Sequence, residues 1–238
     1  VVLPSGTVVD TAAPDADARL RTAEPHLVEV LERLREELRR EHHQADIRRR
    51  YAIKNTMGYG LNSFLDFDTP VKILEHLMIG SEGTLGFVAE ATFRTVKVPA
   101  RTATGLLLFE NLEAATTALP ALVYSGADVV ELIDAASIRA MGDDAKGVLP
   151  PGFQVAQEAS LLVEYQADDA EGIAERVQAG NDVFAGLGGL ASSPELTEEA
   201  GRRAQMWVMR KGLYTKVARN RPKGTAALLE DVAVPMEQ

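Results

Sequence analysis

The feature that most constrains this chain is the run from Pro70 to Val98. A short helical pattern over Pro70–Met78 leads into the glycine loop GSEGTLG (Gly80–Gly86), which leads into FVAEATFRTVKV (Phe87–Val98). That last segment alternates apolar and polar residues for most of its length, and Pro99 closes it. The alternation predicts a long strand. Three glycines at i, i+3 and i+6 permit positive φ and close approach of backbone to a ligand. Ser81 and Thr84 add hydroxyls, and successive N–H groups in such a loop form an anion nest suited to phosphate. No Gly-Lys-Ser/Thr follows, which excludes a Walker A loop. The loop also precedes a strand rather than opening a helix, which excludes the dinucleotide fingerprint. Glu82 repels a pyrophosphate, so its side chain must point away, brace the loop, or accept from a ribose or ring N–H. The same run without a ligand is a tight helix-to-strand turn, and spacing alone leaves both readings open.

Around this run the pattern predicts two short strands in Val1–Val9 about a Pro-Ser-Gly turn and an Ala/Asp-rich loop over residues 10–22. A helix is predicted from Pro25 to Asp46, with Leu27, Val30, Leu31, Leu34 and Leu38 on one stripe and i,i+4 pairs Glu29–Arg33 and Glu36–Arg40 opposite. The pattern changes across Pro99–Thr104, which divides the chain into residues 1–100 and 101–238. The second part reads as strand Gly105–Phe109, helix Leu112–Tyr124, strand Asp128–Ile133 and short helix Ala135–Met141. A Gly/Pro loop (142–157) follows, then strand Ala159–Gln166, helix Ala170–Ala185, helix Pro194–Val217 capped by Ser193, and a final strand over 225–234. Four strands with helices on one face predict an α+β sandwich of ferredoxin-like type with an antiparallel sheet.

Composition narrows the function classes. Hydrophobic residues are 46% and charged residues 25% of 238, an ordinary globular balance. The absence of cysteine excludes disulfides, thiolate metal sites, cysteine-ligated clusters and a cysteine nucleophile within this segment. A formal net charge of −10 argues against nucleic acid as a partner. Residues 200–229 nevertheless hold eight basic residues and no acidic one: Arg202, Arg203, Arg210, Lys211, Lys216, Arg219, Arg221 and Lys223. Such a segment is either an anion site or a solvated basic helix face. No apolar run reaches the roughly 18 residues of a membrane span, and VVLPSGTVVD at the start resembles no signal peptide. A cytoplasmic protein is expected, with peripheral membrane association left open. Of the four histidines, His42 and His43 are neighbours whose side chains diverge by about 100° on a helix. His26 stands alone, and His76, beside the loop, reads as a capping or packing residue. No metal site is expected.

The runs KNTMGYGLNSF and HLMIGSEGTLGFVAEATFRTV together resemble the second half of the FAD-binding domain of the FAD-linked oxidase (vanillyl-alcohol-oxidase, PCMH-type) superfamily. The resemblance is to the D-lactate and D-2-hydroxyglutarate dehydrogenase branch, which includes long bacterial forms with an added iron–sulfur region. It implies a partial FAD-binding domain over 1–100 and a cap, or substrate, domain over 101–238. It implies FAD contacts at Gly80, Ser81, Glu82, Gly83, Thr84 and Gly86, at Phe87 and Val88 nearer the adenine, and at Asn55, Gly58 and Tyr59 of the matching Asn-Thr-x-Gly-Tyr stretch. WVMRKG (Trp207–Gly212) is similar to the family's Trp-x-x-Arg segment, which implies that Arg210 reaches a substrate carboxylate. Tyr214, four residues on, is expected on the same helical face. LLEDVAVP (Leu228–Pro235) is similar to the strand that returns from the cap towards the flavin. Asp231 there is either near the substrate opening or an ordinary strand-end carboxylate, and the family's substrate lysine on that strand is replaced by Leu228 and Leu229.

The activity implied is oxidation of a D-2-hydroxy acid, D-lactate or D-2-hydroxyglutarate, by hydride transfer to FAD. The partners implied are a small anionic substrate and the rest of a longer polypeptide. The family's first Gly-rich loop and its His-rich motif have no match here, so no catalytic base is assigned and the segment alone is expected neither to hold FAD firmly nor to turn over. The alternative reading from the residues is a non-catalytic ligand-sensing or interaction module of ferredoxin-like fold.

Overall fold

The computed structural model describes residues 1–55, 58–211 and 213–226. They fall into two units, one built on Val1–Thr95 and one beginning at Val96. The first unit contains α1 (Ala16–Ala23), α2 (Pro25–Leu38), α3 (Glu41–Arg50), α4 (Ser63–Asp66) and α5 (Pro70–Leu77). Its core gathers Leu3, Leu20, Leu31, Phe64, Ile73 and Leu74.

Residues 10–22, expected as a loop, contain α1. Ala16 and Leu20 lie one turn apart and both bury, while Arg19–Asp15 and Arg21–Asp17 pair at i,i+4 on the outer side. The helix expected over Pro25–Asp46 is two helices. Arg39 ends α2 because its guanidinium donates to the carbonyls of Phe64 and Phe67 and pairs with Asp68, and Arg40 turns extended at φ −65°, ψ 143° before α3. The inward stripe of α2 is also shifted: Val28 and Leu31 are its buried residues, while Leu34 is exposed.

The two expected strands in Val1–Val9 reduce to single bridges, Val2 with Val8 and Val2 with Phe87. The expected strand Phe87–Val98 begins and stops there. Val2 and Phe87 exchange N–H···O bonds of 2.8 Å in both directions, and among the described residues 88–98 enter no ladder. Phe93 and Val96 are 83% and 88% exposed. Alternation records a preference for a two-faced environment, and a strand forms only where a neighbour supplies donors and acceptors.

The second unit contains β1 (Arg101–Phe109), α6 (Leu112–Tyr124), β2 (Val129–Ile133), α7 (Ala135–Met141), α8 (Asp143–Lys146), β3 (Ala159–Ala167), α9 (Ala170–Ala185), α10 (Ala200–Arg210) and α11 (Leu213–Asn220). This is an α+β arrangement with a three-stranded antiparallel sheet in the order β1-β3-β2. Asn111, Asp134 and Asp169 start α6, α7 and α9, each side chain accepting from an N–H in the first turn. The central strand, β3, is buried along most of its length.

One face of the sheet carries Ala103, Leu107, Phe109, Leu161, Val163 and Tyr165, and it is covered by α6 and α9. The Tyr165 ring lies against Gly180 of α9, and its hydroxyl meets Ser125 Oγ at 2.6 Å. Burial pushes the Tyr165 phenol above its usual pKa. The opposite face carries Thr104, Glu164 and Glu131 and is covered by α10, so helices lie on both faces rather than one. The helix expected over Pro194–Val217 is two helices and starts later. Thr104 and Thr197 exchange backbone bonds of 2.9 and 3.0 Å along the outer edge of β1, which keeps the residues before α10 extended. The cap of α10 is Glu199, not Ser193. Its carboxylate accepts from the Gly201 and Arg202 amides, and those bonds hold its pKa below the usual carboxylate range. Most of the expected strand 225–234, with Leu228, Leu229 and Asp231, lies outside the described residues. No helix among those described is long and apolar enough to cross a membrane.

A Cβ on Gly180 would lie 2.7 Å from the Tyr165 ring, which is buried and bonded at its far end. Gly180→Val is expected to destabilise the protein by about 1–3 kcal/mol through overpacking. The check is a lowered urea midpoint at unchanged slope.

Candidate functional site

In the first unit, α5 ends at the glycine loop. Gly80 (φ +80°), Glu82 (φ +49°) and Gly83 (φ +78°) are left-handed. Glu82 is the one non-glycine at positive φ among the described residues. The turn is held from within: the Ser81 amide and hydroxyl both donate to the Met78 carbonyl, and Thr84 Oγ1 donates to the Ser81 carbonyl at 2.6 Å. Among the described residues the amides of Glu82, Gly83 and Gly86 meet no acceptor. Glu82 is exposed. A loop of this kind presents unpaired donors and suits an anion.

The stretch containing Asn55, Gly58 and Tyr59 is brought against the loop. A Cβ on Gly80 would stand 2.8 Å from the Gly58 carbonyl oxygen, so two backbones meet there with no side chain between them. Tyr59 Oη lies 2.8 Å from Thr84 Oγ1. Tyr51 braces the stretch, donating to the Tyr59 carbonyl at 2.6 Å and accepting from the Leu61 amide at 3.0 Å. Beside them is a cavity of about 380 Å³ whose wall includes Tyr51, Asn55, Gly58, Ser63, His76 and Gly80. Ser63 Oγ is buried there without a hydrogen-bond partner among the described residues. His76 stacks on Phe67 with ring centroids 3.7 Å apart, and its Nδ1 is 2.9 Å from the Lys72 carbonyl. It packs as expected and also lines the cavity. Tyr51 and Ser63 are site residues that sequence reasoning passed over, although both flank the Asn-Thr-x-Gly-Tyr stretch. Phe87 and Val88 leave the loop with exposed side chains.

In the second unit, Arg210 is the last residue of α10 and Tyr214 lies in α11. Lys211 is extended (φ −73°, ψ 133°), so the two do not share one continuous helical face. Tyr214 is exposed. Arg210 Nε donates to Glu131 Oε2 on β2 at 2.8 Å. One turn earlier Trp207 Nε1 donates to Glu164 Oε2 at 2.9 Å, and Arg203 Nε reaches Thr104 Oγ1 at 3.3 Å. Other cations of the basic segment are also partnered: Arg202 with Glu195 at 3.3 Å and Lys216 with Asp144. Three of the eight cations thus meet carboxylates and Arg203 meets a hydroxyl, while Lys211, Arg219, Arg221 and Lys223 are exposed.

Comparison with known proteins follows the same division. The family described as FAD linked oxidases, C-terminal domain, matches residues 98–238. The mitochondrial D-lactate dehydrogenase [cytochrome] of Arabidopsis thaliana is 29% identical over 165 residues, covering 68% of this chain and 27% of that protein. The glycolate oxidase subunit GlcD of Escherichia coli K12 is 29% identical over 157 residues, 65% of this chain and 30% of its own length. The Bacillus subtilis GlcD is 28% identical over 169 residues, 69% and 33%. The chain thus spans about a third of the length of the curated relatives it matches.

The contrast between two loop glycines is testable. Gly80→Ala combines positive φ with the Gly58 carbonyl at 2.8 Å and is expected to cost about 2–3 kcal/mol. Gly83→Ala meets nothing within 4 Å and should cost only the backbone strain, about 1 kcal/mol. Denaturant midpoints of the two variants make the comparison.

Proposed function

The chain belongs to the FAD-linked oxidase family, and from that premise we propose that it is part of an FAD-dependent oxidoreductase acting on a small 2-hydroxy acid. D-lactate, glycolate and D-2-hydroxyglutarate are the substrates to consider. Similarity to a D-lactate dehydrogenase and to glycolate oxidase subunits supports that class. The activity is proposed for the polypeptide that carries this chain.

The observation that carries the reading is the left-handed backbone of the Gly80–Gly86 loop, with amides that meet no acceptor among the described residues. The residues present fit FAD. The Glu82, Gly83 and Gly86 amides offer donors for a pyrophosphate, and the close approach of Gly80 to Gly58 leaves a bare backbone surface against which a flat ring can lie. The orphaned Ser63 hydroxyl in the cavity wall is a further polar group awaiting a partner. Thr84 holds Tyr59, and Asn55 belongs to the same stretch. Phe87 and Val88 offer exposed apolar surface for the adenine end.

When bound, FAD supplies the acceptor for the hydride lost from the substrate α-carbon. Arg210 binds and orients the substrate carboxylate, because a planar guanidinium grips a carboxylate through two parallel hydrogen bonds. Tyr214 supplies an exposed hydroxyl in the same unit, and Asp231 keeps its place as a candidate from the resemblance. No residue of this chain is assigned the hydroxyl proton.

The purified polypeptide should carry flavin absorbance, and anaerobic addition of at least one of the three acids should bleach it. Flavin that remains oxidised with every 2-hydroxy acid but is bleached by amines or neutral alcohols overturns the reading. Arg210→Ala should raise KM for the acid by about 10–100-fold, the loss of a charge-assisted pair, and leave KM for the corresponding amide unchanged.

A further inference from the structure

The contacts of α10 form a ladder. Arg203, Trp207 and Arg210 stand at i, i+4 and i+7, one stripe of the helix. Their side-chain N–H groups meet Thr104 on β1, Glu164 on β3 and Glu131 on β2, one rung on each strand in the order in which the strands lie in the sheet. The pairings Thr104 with Glu164, Val129 with Glu164 and Glu131 with Leu162 put all three acceptors on the same face. Glu164 is 5% exposed and fully engaged, taking Thr104 Oγ1 and Trp207 Nε1 on one oxygen and Gln166 Nε2 on the other. The last rung is more open, with side-chain exposures of 46% for Arg210 and 35% for Glu131. Among the described residues its contact is through Nε. Among the described residues Nη1 and Nη2 make no hydrogen bond.

We propose that Glu131 is a positioning residue for the substrate clamp: by occupying Nε of Arg210, it orients the guanidinium so that its Nη1/Nη2 end is left to grip one carboxylate group end-on. This rests on the reading of Arg210 given above. A guanidinium can take a carboxylate side-on, through Nε and one Nη, or end-on, through both Nη atoms. Glu131 removes the first option and fixes the plane for the second. Without it the side chain regains rotamer freedom, which must be lost again on binding.

The test uses the polypeptide that carries this chain, with Arg210→Ala, Glu131→Ala and Glu131→Gln, each assayed for kcat and KM on the responsive hydroxy acid and on its amide. Glu131→Ala should raise KM for the acid about tenfold, with kcat within twofold and KM for the amide unmoved. Glu131→Gln keeps an acceptor for Nε and should recover most of that loss. If Arg210→Ala raises KM for the acid but Glu131→Ala leaves it unchanged or lowers it, the positioning role is overturned and the clamp stands. A similar loss on acid and amide in Glu131→Ala also overturns it, since a merely structural contact would act on both. An unchanged KM in Arg210→Ala overturns the clamp and the positioning role together.

Discussion

Glu164 sits in the middle strand of a three-stranded sheet, between a face packed by α6 and α9 and a face packed by α10. A carboxyl group so placed is costly unless donors surround it. Three do, and they come from β1, from α10 and from β3 itself. Apolar contact alone would hold α10 loosely in register, because its buried residues, Met206 and Met209, are flexible and tolerate sliding. A directional bond from the Trp207 indole does not. With that bond fixed, Arg203 falls opposite Thr104 and Arg210 opposite Glu131, and displacing the helix by one turn would break all three rungs at once.

Elements whose signals are local were legible in the sequence. The helices expected over Leu112–Tyr124, Ala135–Met141 and Ala170–Ala185 are α6, α7 and α9, and each opens on an Asn or Asp whose side chain accepts from a first-turn amide. Elements decided by distant partners were not. Arg39 looks like one more charged residue on a long amphipathic helix until carbonyls of the α4 segment become available to it. Residues 194–199 read as a helix start behind Ser193, yet Thr197 pairs with the free edge of β1 and delays the helix to Ala200. The ladder was hidden for a related reason: polar residues of an amphipathic helix are read as outward-facing. A glutamate inside the apolar run of β3 was the one available signal that the facing helix carried donors.

The glycine loop shows both sides of this. Its left-handed backbone follows from residue identity at 80 and 83, where glycine permits positive φ, and the resemblance implied that this loop and the Asn-Thr-x-Gly-Tyr stretch both border the flavin. The bracing by Tyr51 and the cavity wall at Ser63 and His76 depend on how α3, α4 and α5 pack, which no spacing rule reports. The segment after the loop keeps the alternation of a strand without its ladder. Pattern states what a segment can satisfy, and the neighbour that satisfies it is a separate condition.

Charge leads to a similar distinction between pattern and contact. A stretch with eight cations in a chain of net charge −10 suggests an attractive field for an anion. In the fold, three of the eight, Arg202, Arg210 and Lys216, each face a carboxylate, so the charge of Arg210 itself is already balanced by its neighbour. Any affinity at Arg210 must then come from short-range hydrogen-bond geometry, because a carboxylate joining the Glu131–Arg210 pair adds a second negative charge to one positive one. Two carboxylates share a guanidinium without direct conflict only when they take different edges of it. The contact of Glu131 at Nε is the arrangement that keeps those edges apart, which makes the orientation of a single side chain, rather than the sum of charges around it, the quantity on which recognition at this position turns.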